Sequence, residues 1–273
     1  MDFAGQRVLI IGMARSGLAA ASVLNKRGAQ ITICDQKNLD YFTEKLNSIT
    51  ETEIKIIAGG YPEVHKGDFD LVVVSPGIPL DIPPIAVARK ENIPIIGEVE
   101  LAYLIKKADV EMYAITGTNG KTTTTSLLEL IMTEDGRDSV SGGNIGTPLA
   151  TLVDNMTSGV ISVEVSSFQL ETINKFRPHI CGILNITPDH LDRHKTMELY
   201  VKAKSRIFEN QTENDYVVLN YEDSILRELA QKCQSQVVYF STEQILPEGA
   251  FVEYNKVIVL LAGNRREICS IDK

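Results

Sequence analysis

Seven consecutive residues, Gly117-Thr118-Asn119-Gly120-Lys121-Thr122-Thr123, have the composition of a loop that wraps phosphate. Glycines let backbone N–H groups turn toward phosphate oxygens. The Lys121 ammonium can reach the β- and γ-phosphates, and the Thr122 hydroxyl is placed to ligate Mg2+. An apolar run at 112–116 precedes the loop and a helical pattern follows it, the order this chemistry needs. The loop is shorter than the common G-x-x-x-x-G-K-[ST] pattern, because Ile115 stands where the first glycine would be. An exposed Gly/Thr turn with an incidental lysine would leave the strand–loop–helix order unexplained. ATP or GTP is the expected ligand.

A polyphosphate site needs further charge around it. Glu164 ends the run Val160-Ile161-Ser162-Val163, at the carboxyl edge of a predicted strand, where open α/β sheets bind ligands. A buried carboxylate is costly without a cation, so metal ligation and a structural ion pair both stand for it. His190, in Thr187-Pro188-Asp189-His190-Leu191-Asp192, follows a strand predicted over 180–185 and falls at the same edge. It is a metal ligand, a phosphate contact or an ordinary loop histidine. On the helix predicted over 196–210, Lys202 shares a charged face with Glu198 and Arg206. Lys204 shares the apolar face with Tyr200, Val201, Ile207 and Phe208. Such a lysine must snorkel, pair or lose its charge. A neutral or chemically modified amine serving the site is one outcome.

A second glycine turn, Gly12-Met13-Ala14-Arg15-Ser16-Gly17, joins a strand predicted over 7–11 to a helix over 18–26. Its backbone could hold a phosphate at the helix N-terminus, or it is an ordinary tight turn. Asp35 ends the next strand, where an acid could accept hydrogen bonds from a ribose or base. Ser75-Pro76-Gly77 closes a buried strand and forms a second wall of the same crevice. Ala14 replaces the middle glycine of the dinucleotide fingerprint, which argues against NAD-type redox use.

The elements that must carry these residues alternate. Strands are predicted over 30–34, 54–58, 70–74 and 93–96, with helices over 39–49, 85–91 and 98–108. The same alternation restarts with strands over 111–116, 159–165, 180–185, 216–220 and 236–240 and a helix over 122–134. An antiparallel meander over 250–271 follows. The expected fold is α/β: a Rossmann-like domain over 1–98, then a P-loop-type ATP-binding α/β domain over 99–273 with a small β meander. With 273 residues, 44% of them apolar, two cores can form. A net charge of −9 lacks the footprint of a nucleic-acid binder, so anionic ligands must be held by local devices. Four widely spaced cysteines offer neither a zinc site nor a disulfide framework and fit a reducing compartment. No run resembles a signal peptide or a membrane span. A cytoplasmic monomer is expected.

Together, the loop at 117–123, Glu164, Asn185-x-Thr187-x-Asp189-His190-Leu191-Asp192 and Lys204 resemble the central-domain signature of the Mur ligase family. These are ATP-dependent, amide-bond-forming enzymes of peptidoglycan precursor assembly. Gly142-Gly143-Asn144-Ile145-Gly146 and Glu164-Val165-Ser166-Ser167-Phe168-Gln169-Leu170-Glu171 are similar to the members that add D-glutamate to UDP-N-acetylmuramoyl-L-alanine. The resemblance implies an acyl-phosphate mechanism with ATP and Mg2+. Lys121 would stabilise the transferring phosphoryl and Thr122 would hold one Mg2+. Glu164 and His190 would bind a second. Lys204 matches a lysine that the family carbamylates into an anionic metal ligand or orienter. Asn144 would contact nucleotide and substrate, and Ser16, Gly17, Asp35 and Ser75 would hold the UDP end. Family members carry a further C-terminal domain and a helix completing the central sheet, neither of which is expected in this chain. It is therefore expected to bind UDP-substrate but to ligate weakly or not at all by itself. Alternatives are a non-catalytic nucleotide-binding module and another Mur or folylpolyglutamate-type ligase.

Overall fold

The computed structural model describes residues 2–42 and 54–272. The first sheet is built from β1 (Arg7–Ile11), β2 (Gln30–Asp35), β3 (Lys55–Ala58), β4 (Leu71–Val74) and β5 (Ile95–Gly97), with α1 (Arg15–Asn25), α2 (Pro83–Lys90) and α3 (Glu98–Ile105) between and after them. Its strands are parallel, in the order β3-β2-β1-β4-β5. β1 is apolar at every position from Val8 to Ile11 because both of its faces are covered. Val8 and Ile10 pack with Ala21 and Leu24 of α1, whereas Leu9 and Ile11 pack with Ile85 and Ala88 of α2. The chain leaves β1 toward β2 on one side and reaches β4 on the other. This reversal opens a crevice beyond the carboxyl ends of β1 and β4.

α1 starts at Arg15 rather than at the predicted residue 18, taking the end of the glycine turn into its first turn. Gly17 permits this: a Cβ there would lie 1.8 Å from the Gly12 carbonyl oxygen. Of the helix predicted over 39–49, a single 3-10 turn, Leu39–Tyr41, is seen, and residues 43–53 lie outside the described residues.

The second sheet draws on β6 (Val110–Thr116), β7 (Ser139–Gly143), β8 (Gly159–Glu164), β9 (Ile180–Ile183), β10 (Tyr216–Asn220), β11 (Gln236–Ser241), β12 (Gly249–Glu253), β13 (Lys256–Leu261) and β14 (Asn264–Ser270). Its order is β14-β13-β12-β11-β10-β9-β6-β8-β7. The pairs β6–β9, β9–β10, β10–β11 and β11–β12 are parallel, whereas β12–β13–β14 is the expected antiparallel meander. Its helices are α4 (Lys121–Glu134), α6 (Ser167–Leu170), α7 (Leu191–His194), α8 (Met197–Ser205) and α9 (Ser224–Ala230), and α5 (Leu149–Asn155) lies between β7 and β8. α8 is capped by the Thr196 side chain, which accepts from Leu199 N, and gives way at Arg206–Phe208 to a 3-10 turn, short of the predicted residue 210.

Two compact units result. The first comprises Met1–Val110, Gly142–Gly159 and Phe168–Phe176, and the second Glu111–Ser141, Val160–Ser167 and Arg177–Lys273. Within the first unit, α5 is bound to the two residues that follow α1 by Asp154, which pairs with Arg27 at 2.7 Å and Lys26 at 3.1 Å. α5 is bound to α3 by Glu98, whose Oε1 accepts from Ala150 N at 2.5 Å. Among the described residues no helix is long and apolar enough to cross a membrane, and the four cysteines are free thiols.

Candidate active site

β6 and β9 are parallel neighbours with Thr116 opposite Ile183, so the loops that follow them leave the sheet at the same edge. They are bound to each other. Thr118 N donates to Asn185 O and Asn119 N to Asn185 Oδ1, each at 2.9 Å, and Asn185 Nδ2 returns a bond to Asn119 O at 3.1 Å. Thr118 Oγ1 donates to Thr187 O at 3.1 Å and accepts from Thr187 N at 3.0 Å. Gly120 turns the loop into α4 in the left-handed region (φ 83°), a conformation that glycine adopts without a Cβ penalty. These bonds fasten the loop to the residues that follow β9.

Two amines converge inside it. Lys121 Nζ donates to Gly117 O at 2.9 Å and Thr118 O at 2.8 Å, and Lys204 Nζ donates to the same Gly117 O at 2.7 Å. Lys204 is 2% exposed, so it does not snorkel. Its ammonium lies 4.7 Å from the Tyr200 ring centroid. Burial first and the neighbouring Lys121 charge second push its pKa down to about 7, with Asp189 opposing. A lysine near pH 7 in this state holds a substantial fraction of neutral, nucleophilic amine.

Thr122, in the first turn of α4, donates to Glu164 Oε2 at 2.7 Å. Glu164 is 2% exposed at the carboxyl end of β8, as its position in the sequence implies. His190 adopts a left-handed conformation (φ 51°) ahead of α7, half-exposed, with Nε2 3.5 Å from Asp189 Oδ2. Asp189 also acts electrostatically on Lys204 and Tyr200, so His190 belongs to the neighbourhood of the loop. Among the described residues no three His, Cys, Asp or Glu side chains cluster as a metal cage. The oxygen pair of Thr122 and Glu164 fits Mg2+, which keeps several waters and takes one or two carboxylates plus substrate phosphates. Thr123 follows in α4.

In the first unit, a cavity of about 670 Å3 occupies the crevice. Ser16, Asp35, Ser75 and Asn144 line it, together with Gly12 and Arg15. Gly17 is buried behind it, where it allows the tight helix start. Asp35 is anchored by the backbone: Oδ2 accepts from Met13 N at 2.9 Å and Oδ1 from Lys37 N at 3.0 Å. Ser75 Oγ donates to Gly12 O at 3.2 Å. Lys37 and Tyr61 also line the cavity and were not singled out from sequence, and Gln169, read only as part of the run 164–171, lines it too. Adjacency to Asp35 would have suggested Lys37, but nothing local marks Tyr61. Around the phosphate loop, sequence reasoning likewise missed the fastening roles of Asn185, Thr187 and Tyr200. A separate cavity of about 450 Å3, between Leu127, Leu128 and Ile131 of α4 and Ile180, Val218 and Phe240 of the sheet, is apolar and contains none of these groups.

Residues 115–259 match the Mur ligase middle domain, and residues 6–97 match the MurD-like N-terminal domain of Mur ligases. A UDP-N-acetylmuramoylalanine–D-glutamate ligase of Pelotomaculum thermopropionicum is 44% identical over 273 residues, covering all of this chain and 60% of the relative. One of the same name from Clostridioides difficile is 45% identical over 263 residues, 95% of this chain and 57% of the relative. The chain therefore spans about 60% of the length of the curated relatives it matches. Among solved structures, a UDP-N-acetylmuramate:L-alanyl-γ-D-glutamyl-meso-diaminopimelate ligase from Neisseria meningitides superposes with a TM-score of 0.58 at 18% identity, covering 96% of this chain and 86% of that one. A UDP-N-acetylmuramate–alanine ligase from Thermotoga maritima superposes at 0.51 and 21%, covering 96% and 60%. These likenesses carry the α/β fold, with one parallel and one mixed sheet. The domain matches, which together take in the first sheet, most of the second and the fastened phosphate loop, carry the assignment: the chain belongs to the Mur ligase family.

Proposed function

We propose that this chain holds the UDP-substrate and the ATP of a ligase that joins D-glutamate to UDP-N-acetylmuramoyl-L-alanine in peptidoglycan precursor synthesis. The reading rests above all on the convergence of Lys121 and Lys204 on Gly117 O, in the same unit as the Thr122–Glu164 pair. The name shared by relatives about 44% identical supports D-glutamate as the amino acid. On this reading residues 1–98 form the UDP-substrate domain and residues 99–273 the ATP-binding domain of a cytoplasmic monomer.

In the proposed reaction a carboxylate oxygen of the alanyl group attacks the γ-phosphorus. The bond to the ADP oxygen breaks and an acyl phosphate forms. The D-glutamate amine then attacks the acyl carbon, loses a proton, and phosphate departs with the bonding electrons. The chain contributes positioning and charge, as phosphoryl transfer requires. Lys121 turns its donors from the loop carbonyls to the transferring phosphoryl oxygens. The backbone of 117–123 cradles the polyphosphate. Mg2+ bound by Thr122, and by Glu164 with His190, would neutralise charge on the phosphates. The neutral amine of Lys204 adds to CO2, forming an N–C bond and releasing a proton, and the resulting carbamate is an anionic ligand or orienter. Ser16, Asp35, Ser75 and Asn144 hold the uridine-diphosphate substrate, with Gly17 keeping the turn tight.

Titration calorimetry of this chain with UDP-N-acetylmuramoyl-L-alanine and with Mg2+ plus AMP-PNP tests the binding half. Turnover by the protein carrying this chain, with D-glutamate and a panel of other amino acids, tests the chemistry. Binding of both ligands and selective use of D-glutamate are expected. No AMP-PNP binding removes the nucleotide reading. Selective use of another amino acid reassigns the ligase, and binding without turnover in that protein makes this a non-catalytic module.

A further inference from the structure

A line of buried side chains reaches the phosphate loop from behind. Ser167, three residues beyond Glu164, is 2% exposed, and its Oγ lies 2.9 Å from Nε2 of His194, itself 4% exposed. The His194 ring is tilted 48° against the ring of Tyr200, with centroids 5.2 Å apart. The Tyr200 hydroxyl is 3.2 Å from Thr118 Oγ1. That threonine already donates its one hydroxyl proton to Thr187 O and accepts from Thr187 N, so Tyr200 is left to donate to its second lone pair. Every hydrogen-bonding position of the Thr118 side chain is then in use. The ring of the same tyrosine faces Nζ of Lys204 in its unmodified form. Tyr200 therefore holds two parts of the phosphate site at once, the loop through its hydroxyl and Lys204 through its ring.

We propose that His194, anchored by Ser167, is a positioning residue for the phosphate loop: it sets the Tyr200 ring, and through that ring Thr118 and Lys204. His194 does not touch the reacting groups. Its contribution is to hold Thr118 and Lys204, two of the groups that fasten the loop, in a single arrangement, so that binding triphosphate costs less reordering. The inference rests on reading residues 117–123 as the nucleotide loop.

The test uses calorimetry on this chain with two probes, Mg2+ plus AMP-PNP and UDP-N-acetylmuramoyl-L-alanine. H194Q keeps a partner for Ser167 but removes the ring beside Tyr200. Y200F keeps the ring but removes the hydroxyl, and S167A is a milder variant that removes the anchor alone. AMP-PNP affinity is expected to fall about tenfold in H194Q and in Y200F, and about threefold in S167A, on the scale of a lost buried hydrogen bond. The H194Q/Y200F double variant is expected to lose no more than the weaker-binding single, because both act along one path. UDP-substrate affinity should stay at the parent value throughout, which a general loss of folding would not allow. Parent-like AMP-PNP binding in both H194Q and S167A overturns the role of His194 alone. So do losses that multiply in the double variant. A parent chain that binds no AMP-PNP overturns the nucleotide reading and this inference with it.

Discussion

Glu98 and Lys204 are both ionisable, both almost fully buried, and held in opposite ways. The Lys204 amine bonds to a carbonyl, and its charge is weakened by its surroundings and by Lys121. Glu98 caps the start of α5 through one oxygen, while the other, Oε2, has no hydrogen-bond partner. Burial outweighs the Ala150 amide and raises the Glu98 pKa to about 7. In the unfolded chain this group titrates near 4.5, so between about pH 4.5 and 7 the folded chain holds the proton more tightly. Stability falls as pH rises through that window, by about 3 kcal/mol from this one group. Glu98→Gln should remove the fall, and urea midpoints of parent and variant compared at pH 5, 6, 7 and 8 would show it. Parallel curves for the two proteins would mean that Glu98 ionises normally. The thiols give a second residue-scale expectation. Burial pushes Cys34 up to about 12 and Cys233 up to about 11, and raises Cys181 well above its ordinary value. Cys269 is exposed. Iodoacetamide at pH 8 should therefore label Cys269 first and leave the other three largely unmodified, as peptide mass mapping would reveal. Early labelling of Cys34 would contradict the packing of β2.

At the scale of elements, the turn after β1 and the turn after β2 are one device, because a single carboxylate clamps both. Asp35 accepts from Met13 N in the first and from Lys37 N in the second. Asp35→Ala should cost about 1–2 kcal/mol of stability for the two lost bonds. It should also weaken binding of the UDP-substrate at least about tenfold, since both turns line the cavity. Calorimetry paired with thermal unfolding reads both effects, and unchanged affinity would move the ligand out of this crevice. Such clamps mark where the sequence could be read and where it could not. The loop at 117–123, Glu164 and Lys204 were legible because each is defined by its own strand or helix and the period of its neighbours. The alternating strands of the first sheet were legible for the same reason. Asn185 and Thr187 were legible as part of a family signature, but their fastening of the loop was not, since those bonds join residues 66 and 69 positions apart. β7, α5 and α9 were overlooked because they are short, and α5 is specified by a cap from Glu98, 52 residues away. The helix expected over 196–210 was too long because its apolar period continues through Arg206–Phe208 while the backbone tightens.

For the whole molecule, the proposed ligands divide between the two compact units. The cavity lined by Ser16, Asp35, Ser75 and Asn144 belongs to the first, and the phosphate loop with Thr122, Glu164, His190 and Lys204 belongs to the second. A ligand that binds only the folded form stabilises what it touches by mass action, by about 2.7 kcal/mol at a hundred times its dissociation constant. Amides that exchange through opening of that unit should then slow by about a hundredfold. Hydrogen exchange followed by mass spectrometry is expected to show UDP-N-acetylmuramoyl-L-alanine protecting peptides around residues 12–17, 35–37, 75–77 and 143–148. Mg2+ plus AMP-PNP is expected to protect 117–123 and 185–190. The two patterns follow from which backbone N–H groups line each site, so they do not depend on turnover. Nucleotide that slowed exchange at 12–17 while leaving 117–123 unchanged would exchange the roles of the two glycine turns, and with them the order of the proposed reaction's binding sites along the chain.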